Sequence, residues 1–332
     1  MKGKLSLLWV FCVSGALAQT PQLVQVSAGA RSIATAISAD GNYVVGGTLV
    51  ANSPRPFLWQ RGVGERVLPL PAGAYYAIAR GVSNDGSVVV GDAYFGSTST
   101  DHRILPVVWR APNYQPQMLS VPDSSGGAAY YVTGVSGDGQ VIVGWWSTRD
   151  SQRLALYWRD NTYTIVGSGQ FSAVSRCGGY AVGYNEFTPF RFTFNPFRIE
   201  TLGADWYPRS VASGGGAVVG TEYGFGFRGV FWDSCGAISL GRFNGTEVEL
   251  FAISDDGRVA GGWMRSRALA VRWKRERGFL DGYDDLSQTF ASVLSGRFLR
   301  SVHAISADGR YLAGSMWVGP EYYAFWLDTA GR

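Results

Sequence analysis

Two histidines, His102 and His303, are all that the chain offers for imidazole chemistry. A His-rich metal site is therefore excluded, and a Ser-His-Asp triad would have to use one of the two. His303 stands just before Ala304 in an apolar run and reads as packed. His102 lies between Asp101 and Arg103 in a polar stretch and reads as solvated. Glycoside cleavage needs two carboxyls roughly 5–9 Å apart. Asp92, Asp101, Asp150, Asp205, Glu222 and Glu321 are the candidates, scattered along the chain. Asp40, Asp85, Asp138, Asp256 and Asp308 each precede a glycine. A row of aspartates suggests calcium, but a calcium loop needs several oxygen ligands at alternating spacing. One Asp beside one Gly is turn chemistry. No phosphate-binding loop, dinucleotide fingerprint or zinc spacing is present.

The elements that carry these aspartates repeat. The stretch AISADGRYLAG (304–314) recurs as AISADGNYVVG (36–46), GVSNDGSVVVG (81–91), GVSGDGQVIVG (134–144), AVSRCGGYAVG (173–183), SVASGGGAVVG (210–220) and AISDDGRVAGG (252–262). Cys177 and Gly214 replace the Asp in two copies. Asp-Gly between apolar runs is a strong hairpin signal, because Gly accepts positive φ without steric cost. Each unit is therefore strand a, tight turn, strand b. A second apolar run ending in an aromatic follows (Trp59, Trp109, Trp158, Phe194, Trp232, Trp273; Trp326 is shifted by one place), and then a short fourth run. Four strands per repeat of ~37 to ~53 residues suit propeller blades.

The fold expected is all-β: a seven-bladed β-propeller of four-stranded blades over about 28–71, 72–122, 123–167, 168–203, 204–241, 242–282 and 283–332, forming one domain from 19 to 332. The last repeat lacks a fourth strand, and Pro21–Ser27 alternates as the other fourth strands do. It is expected to complete that blade and so close the ring. Small residues (Ala36, Gly81, Gly134, Ala173, Ser210, Ala252, Ala304) open each unit, where innermost strands would converge. Asp285–Leu294 has apolar positions at helical spacing and is expected to form one short helix between blades 6 and 7.

The repeats resemble the extracellular HAF repeat proteins, whose pattern looks like A-x-(G/A)-I-(N/S)-x-(D/S)-G-x-(I/V)-V-G followed by A-F-L-(W/Y). Ala304–Gly314 with Ala324-Phe325-Trp326 matches, while Tyr323 stands where the name-giving His would be. The resemblance covers nearly the whole chain after residue 18. It implies a secreted or surface bacterial protein and a propeller, with no catalytic residues to carry over. The layout is also loosely kelch-like.

Residues 1–18 read as a signal peptide: Lys2 and Lys4, an apolar Leu5–Gly15, and Ala16-Leu17-Ala18 as cleavage site. The protein is thus expected to be secreted, periplasmic or on the cell surface, with no transmembrane segment beyond that peptide. The formal charge is +4, and about +2 without the two leader lysines. Such a balance does not point to nucleic acid. A secreted setting permits a disulfide between Cys177 and Cys235. Both would sit at hairpin tips on the same side of neighbouring blades, but at different distances from the axis, so the bridge stays open.

The a–b and c–d turns should share one face, and the b–c and d–a connections the other. The b–c loops (Asp92–Ile104, Trp145–Arg153, Trp263–Arg267, Ser315–Tyr322) look long and variable. Binding is expected there, with Tyr94, His102, Arg103, Trp146, Arg149, Trp263, Arg265, Trp317 and Glu321 as candidate contacts. Aromatic faces stack on sugars, and Arg pairs with carboxylates or sulfates. The expected role is a monomeric binding module for a surface carbohydrate or protein, without cofactor or metal. A propeller hydrolase or lyase with a carboxylate pair in the central funnel is the alternative.

Overall fold

The computed structural model describes residues 20–96, 101–125, 127–224, 226–280 and 282–330; the expected signal peptide lies outside them. Nearly all regular structure is β. Five sheets have four strands, and one of eight is two four-strand units joined by the single parallel pair Ala129–Ile104. Numbered along the chain, units 1 to 7 begin with inner strands Ile33–Ile37, Ala74–Val82, Ala129–Val135, Gln170–Val174, Trp206–Val211, Val248–Ile253 and Phe298–Ile305.

The a–b turns follow the expected chemistry. In unit 1, the Gly41 amide donates to Ser38 O (3.1 Å), with Gly41 at φ 74°. Ser38 Oγ donates to Asp40 Oδ1 (2.7 Å) and accepts from the Tyr43 amide (3.0 Å), while the Asn42 amide donates to the same carboxylate (2.9 Å). The same net recurs at Ser83/Asp85, Ser136/Asp138, Ser254/Asp256 and Ser306/Asp308. These carboxylates are occupied in closing turns. In unit 4 the thiol of Cys177 takes the carboxylate's place, accepting from the Gly179 amide at 3.4 Å.

Gln22–Gln25 pairs antiparallel with Glu321–Asp328, which supplies unit 7 with its fourth strand as expected. Its edge amides and carbonyls are thereby satisfied across the two ends of the chain. The fourth strand of unit 6 is Tyr283–Asp285, so that unit runs past the boundary expected at residue 282. The expected helix forms as two short turns, Leu286–Thr289 and Ala291–Leu294, broken at Phe290. Asp285 caps the first by accepting from the Ser287 and Gln288 amides (2.8 and 3.3 Å).

The core lies between neighbouring units rather than within any one. Trp109, Trp158, Phe194, Trp232 and Trp273 each pack against the preceding unit. Burial of each such ring contributes about 2–3 kcal/mol. Trp326, one place out of phase, turns to the other side of its sheet. It joins Trp59 and Phe57 of unit 1, and its indole N–H donates to Gly41 O (2.9 Å). Phe325 takes its place against unit 6 and the helical turns.

One expectation is corrected. The b–c connections are mostly tight, because the strands run on through the segments read as loops. Asp92 lies within Val88–Phe95, Trp145 and Trp146 within Ile142–Ser147, and Ser315–Tyr322 is nearly all strand. Cross-strand aromatic pairing extends these hairpins: Tyr131 stacks on Trp145 with centroids 4.3 Å apart, and Tyr76 on Tyr94 at 3.9 Å. Cys177 and Cys235 are free and exposed. The Cys177 thiol is engaged near the centre, donating to Ser213 O at 2.7 Å, whereas Cys235 sits in the turn before the outer strand Gly236–Ser239.

Candidate functional site

Every inner strand carries a β-bulge at the same place. The register slips between Ala34 and Ala36, Ala79 and Gly81, Val132 and Gly134, Phe171 and Ala173, Pro208 and Ser210, Leu250 and Ala252, and Val302 and Ala304. A bulge re-aims the extra side chain. The skipped residues are Thr35, Arg80, Thr133, Ser172, Arg209, Phe251 and His303, and together they line one central cavity of about 220 Å3. The bulge also accounts for the glycine ending each VVG-like run. A Cβ on Gly46, Gly91, Gly144, Gly183, Gly220, Gly262 or Gly314 would collide with the carbonyl oxygen of Ile33, Ile78, Tyr131, Gln170, Tyr207, Glu249 or Ser301 respectively. Ala36, Gly81 and their equivalents are small because inner strands approach there; a Cβ on Gly81 would meet the Val135 amide at 3.0 Å.

At the a–b end, Arg176 reaches across this cavity from unit 4. Its guanidinium donates to Ile37 O of unit 1 (3.0 Å), Ile305 O of unit 7 (2.5 Å) and Asp255 of unit 6 (3.0 Å). Four units are thereby tied together and that end is spanned.

On the opposite face an aromatic row crosses units 4 and 5, and an arginine of unit 6 covers its end. Tyr184 meets Tyr207 edge-on at 4.5 Å, Tyr207 meets Tyr223 at 4.6 Å, and Tyr223 meets Phe227 at 4.8 Å. The Arg265 guanidinium covers Phe227 at 3.9 Å. Beside the row, a cleft of about 390 Å3 is lined by Arg153, Tyr184, Glu186, Phe187, Tyr207, Arg209 and Tyr223. It adjoins a second of about 510 Å3 that shares Arg153, Tyr184 and Glu186. Arg153 donates to Gln170 Oε1 (2.9 Å) and lies over Trp145; Arg209 donates to the Tyr223 hydroxyl (2.8 Å). Neither has a carboxylate partner among the described residues.

The candidates named from sequence do not converge on this cleft. Tyr94 is buried against Tyr76, and Trp146 stacks on Tyr130 in the core between units 2 and 3. His102 is exposed, and Arg103 donates to Ser124 O (3.2 Å). Arg149 pairs with Asp123 at 3.5 Å, Arg265 with Glu249 at 3.1 Å, and Glu321 with Arg31 at 3.1 Å. Trp317 meets Tyr322 edge-on at 5.8 Å, and Trp263 lies beside Arg265. Of these, Arg265 and Trp263 extend the aromatic row.

The carboxylates do not form a pair either. Asp92 is fully buried, 2.9 Å from Arg80 Nε and accepting from the Val132 amide at 2.7 Å. Burial pushes its carboxyl up, against the pull of Arg80. Glu222 accepts from Ser239 Oγ on the outer strand (3.1 Å), and Asp101, Asp150 and Asp205 are exposed on separate units. His303 is neutral: burial, with Arg300 nearby, lowers its pKa to about 4. Its Nε2 lies 2.8 Å from Ser301 Oγ and its ring stacks on Phe251 at 5.3 Å.

No protein-family model and no curated protein matches the chain. Solved structures do. An oligogalacturonate lyase from Vibrio parahaemolyticus superposes with a TM-score of 0.60 at 8% identity, covering 92% of this chain and 93% of its own. An oligogalacturonate lyase in complex with manganese gives 0.59 at 9% identity, with 93% and 96% covered. TolB from Acinetobacter baumannii gives 0.46 at 13% identity over 62% of this chain, which spans about half (54%) of that protein. The lyases show the fold alone, and that fold is β-propeller-like. Among the described residues no three His, Cys, Asp or Glu side chains gather. No helix among them is long and apolar enough to cross a membrane.

Proposed function

We propose that this chain is a seven-bladed β-propeller, closed by Gln22–Gln25, that is exported and serves as a monomeric carbohydrate-binding module of the bacterial envelope or exterior. The leader pattern of residues 1–18 and the resemblance to HAF repeat proteins support export. Packing of the last unit on the first supports the closed ring. The observation that carries the binding role is the cleft where Tyr184, Tyr207 and Tyr223 stand beside Arg153, a guanidinium with no carboxylate partner among the described residues. Tyrosine rings supply apolar faces for sugar rings at low entropic cost, and the arginine a directional polar anchor.

The test is a fluorescence titration against a panel of polysaccharides and envelope fragments, with product release assayed in the same tubes. A saturable change without products is expected, and Tyr207→Ala and Tyr184→Ala should each weaken it about tenfold, or ~1.4 kcal/mol. Product formation would replace the binding reading with the hydrolase or lyase alternative. Silence in both channels would remove the carbohydrate.

A further inference from the structure

The bulge residues around the central cavity are not alike in how their polar atoms are used. In units 1 to 3 they are spent on the wall. Thr35 Oγ1 donates to Ala79 O (2.7 Å), Thr133 Oγ1 to Val143 O (3.3 Å), and Arg80 is neutralised by Asp92. Units 4 and 5 differ. Ser172 Oγ and Arg209 Nε are both shut from solvent, and neither has a hydrogen-bond partner among the described residues. The two stand at equivalent bulges on neighbouring inner strands and line the same cavity. Among the described residues Arg209 keeps only the Tyr223 hydroxyl. Further round, Phe251 and the His303 stacked on it give this half of the wall an apolar flank.

A guanidinium N–H shut from solvent with no acceptor is costly, and among the described residues no carboxylate pairs with Arg209. Turned toward the cavity, the guanidinium meets a carboxylate with a charge-assisted pair and the serine hydroxyl donates a further bond. The cavity is closed to through-passage, since Arg176 spans its a–b end. A ligand must therefore enter from the face that carries the cleft. The volume of about 220 Å3 suits a small molecule.

We propose that this half of the central cavity is a pocket for a small organic acid, whose carboxylate seats on Arg209 and Ser172. It is a second site beyond the carbohydrate cleft, although Arg209 forms a wall of both.

Isothermal titration calorimetry at fixed ionic strength would test it, with glucuronate, gluconate and succinate as probes and glucose and sulfate as controls. At least one acid should bind saturably, with glucose silent and sulfate at least about tenfold weaker. Arg209→Gln should lower the affinity about tenfold and Ser172→Ala about threefold, whereas Tyr75→Ala, which lines neither the cavity nor the cleft, should leave it unchanged. If Arg209→Gln does not fold, Ser172→Ala and Arg209→Lys decide. No binding of any acid up to about 10 mM overturns the pocket. So does sulfate binding as tightly as the acids, or variants at Arg209 and Ser172 that bind like the parent. Polysaccharide binding without acid binding removes this pocket alone, and acid binding without polysaccharide binding removes the carbohydrate cleft alone.

Discussion

The indoles of Trp59 and Trp326 lie with ring centroids 5.8 Å apart and planes at 43°, one from the first four-strand unit and one from the last. The contact exists because Trp326 is one residue out of phase with the other third-strand aromatics. Its side chain consequently faces unit 1, where Arg61 lies over it at 4.9 Å, while Tyr311 of its own unit stacks on it at 5.3 Å. The two ends of the chain are thus joined twice, by this cluster and by the pairing of Gln22–Gln25 with Glu321–Asp328.

If this junction holds the fold together, removing either part should be felt globally. Trp326→Ala should cost about 3–5 kcal/mol, and deletion of residues 21–27 should lower the melting temperature by about 5 °C or more. Thermal unfolding followed by circular dichroism would measure both. A deletion variant that melts with the parent would show that the N-terminal strand does not close the structure.

The bulges make a sharper prediction about neighbouring glycines. Gly91→Ala drives a Cβ into the Ile78 carbonyl, which the bulge at Arg80 fixes in place, and should cost about 3 kcal/mol or more. At Gly47 the nearest atom to such a Cβ is Ile78 Cγ2 at 3.7 Å, an ordinary contact. Gly47→Ala should therefore change stability by no more than ~1 kcal/mol, in the stabilising direction. Urea unfolding of the two variants would separate them, and equal losses would refute the role given to the bulge.

His303 sets a dependence on pH. Its folded-state pKa is about 4, against 6.5 for an unburied imidazole. The unfolded chain therefore takes up this proton first as pH falls. Stability is at its full value above about pH 7 and declines between about 6.5 and 4, by up to ~3 kcal/mol. Carboxyls held low by turn and ion-pair contacts, such as Asp85 and Asp328, contribute losses only at lower pH. Melting temperatures from pH 7.5 to 4.5 should slope downward for the parent and much less for His303→Gln. Parallel slopes would assign the dependence elsewhere.

The four-strand unit was legible because its causes are local. Ser38, Asp40, Gly41 and the Tyr43 amide close a turn within six residues of chain, and the same Ser and Asp recur in five of the seven units. Trp326 was legible for the same reason: strand alternation makes a shift of one position a change of face. The cleft was not. Tyr184, Tyr207 and Arg209 come from different units, and Tyr94 and Trp146, equally aromatic in sequence, were claimed by the core. A local signal for the cavity did exist, in the residue just before the small one that opens each unit. Read down the repeats it is Thr35, Arg80, Thr133, Ser172, Arg209, Phe251 and His303.

Sequence alone determined that this protein is built of strand–turn–strand repeats and where the ends of the chain would meet, since both follow from hydrogen bonds and alternation over a few residues. Only the tertiary structure decided that an extra residue in each inner strand points inward, and that Arg80 finds a carboxylate there while Arg209 does not. Those outcomes depend on which side chains converge from separate repeats, and no stretch of chain short enough to act locally contains them.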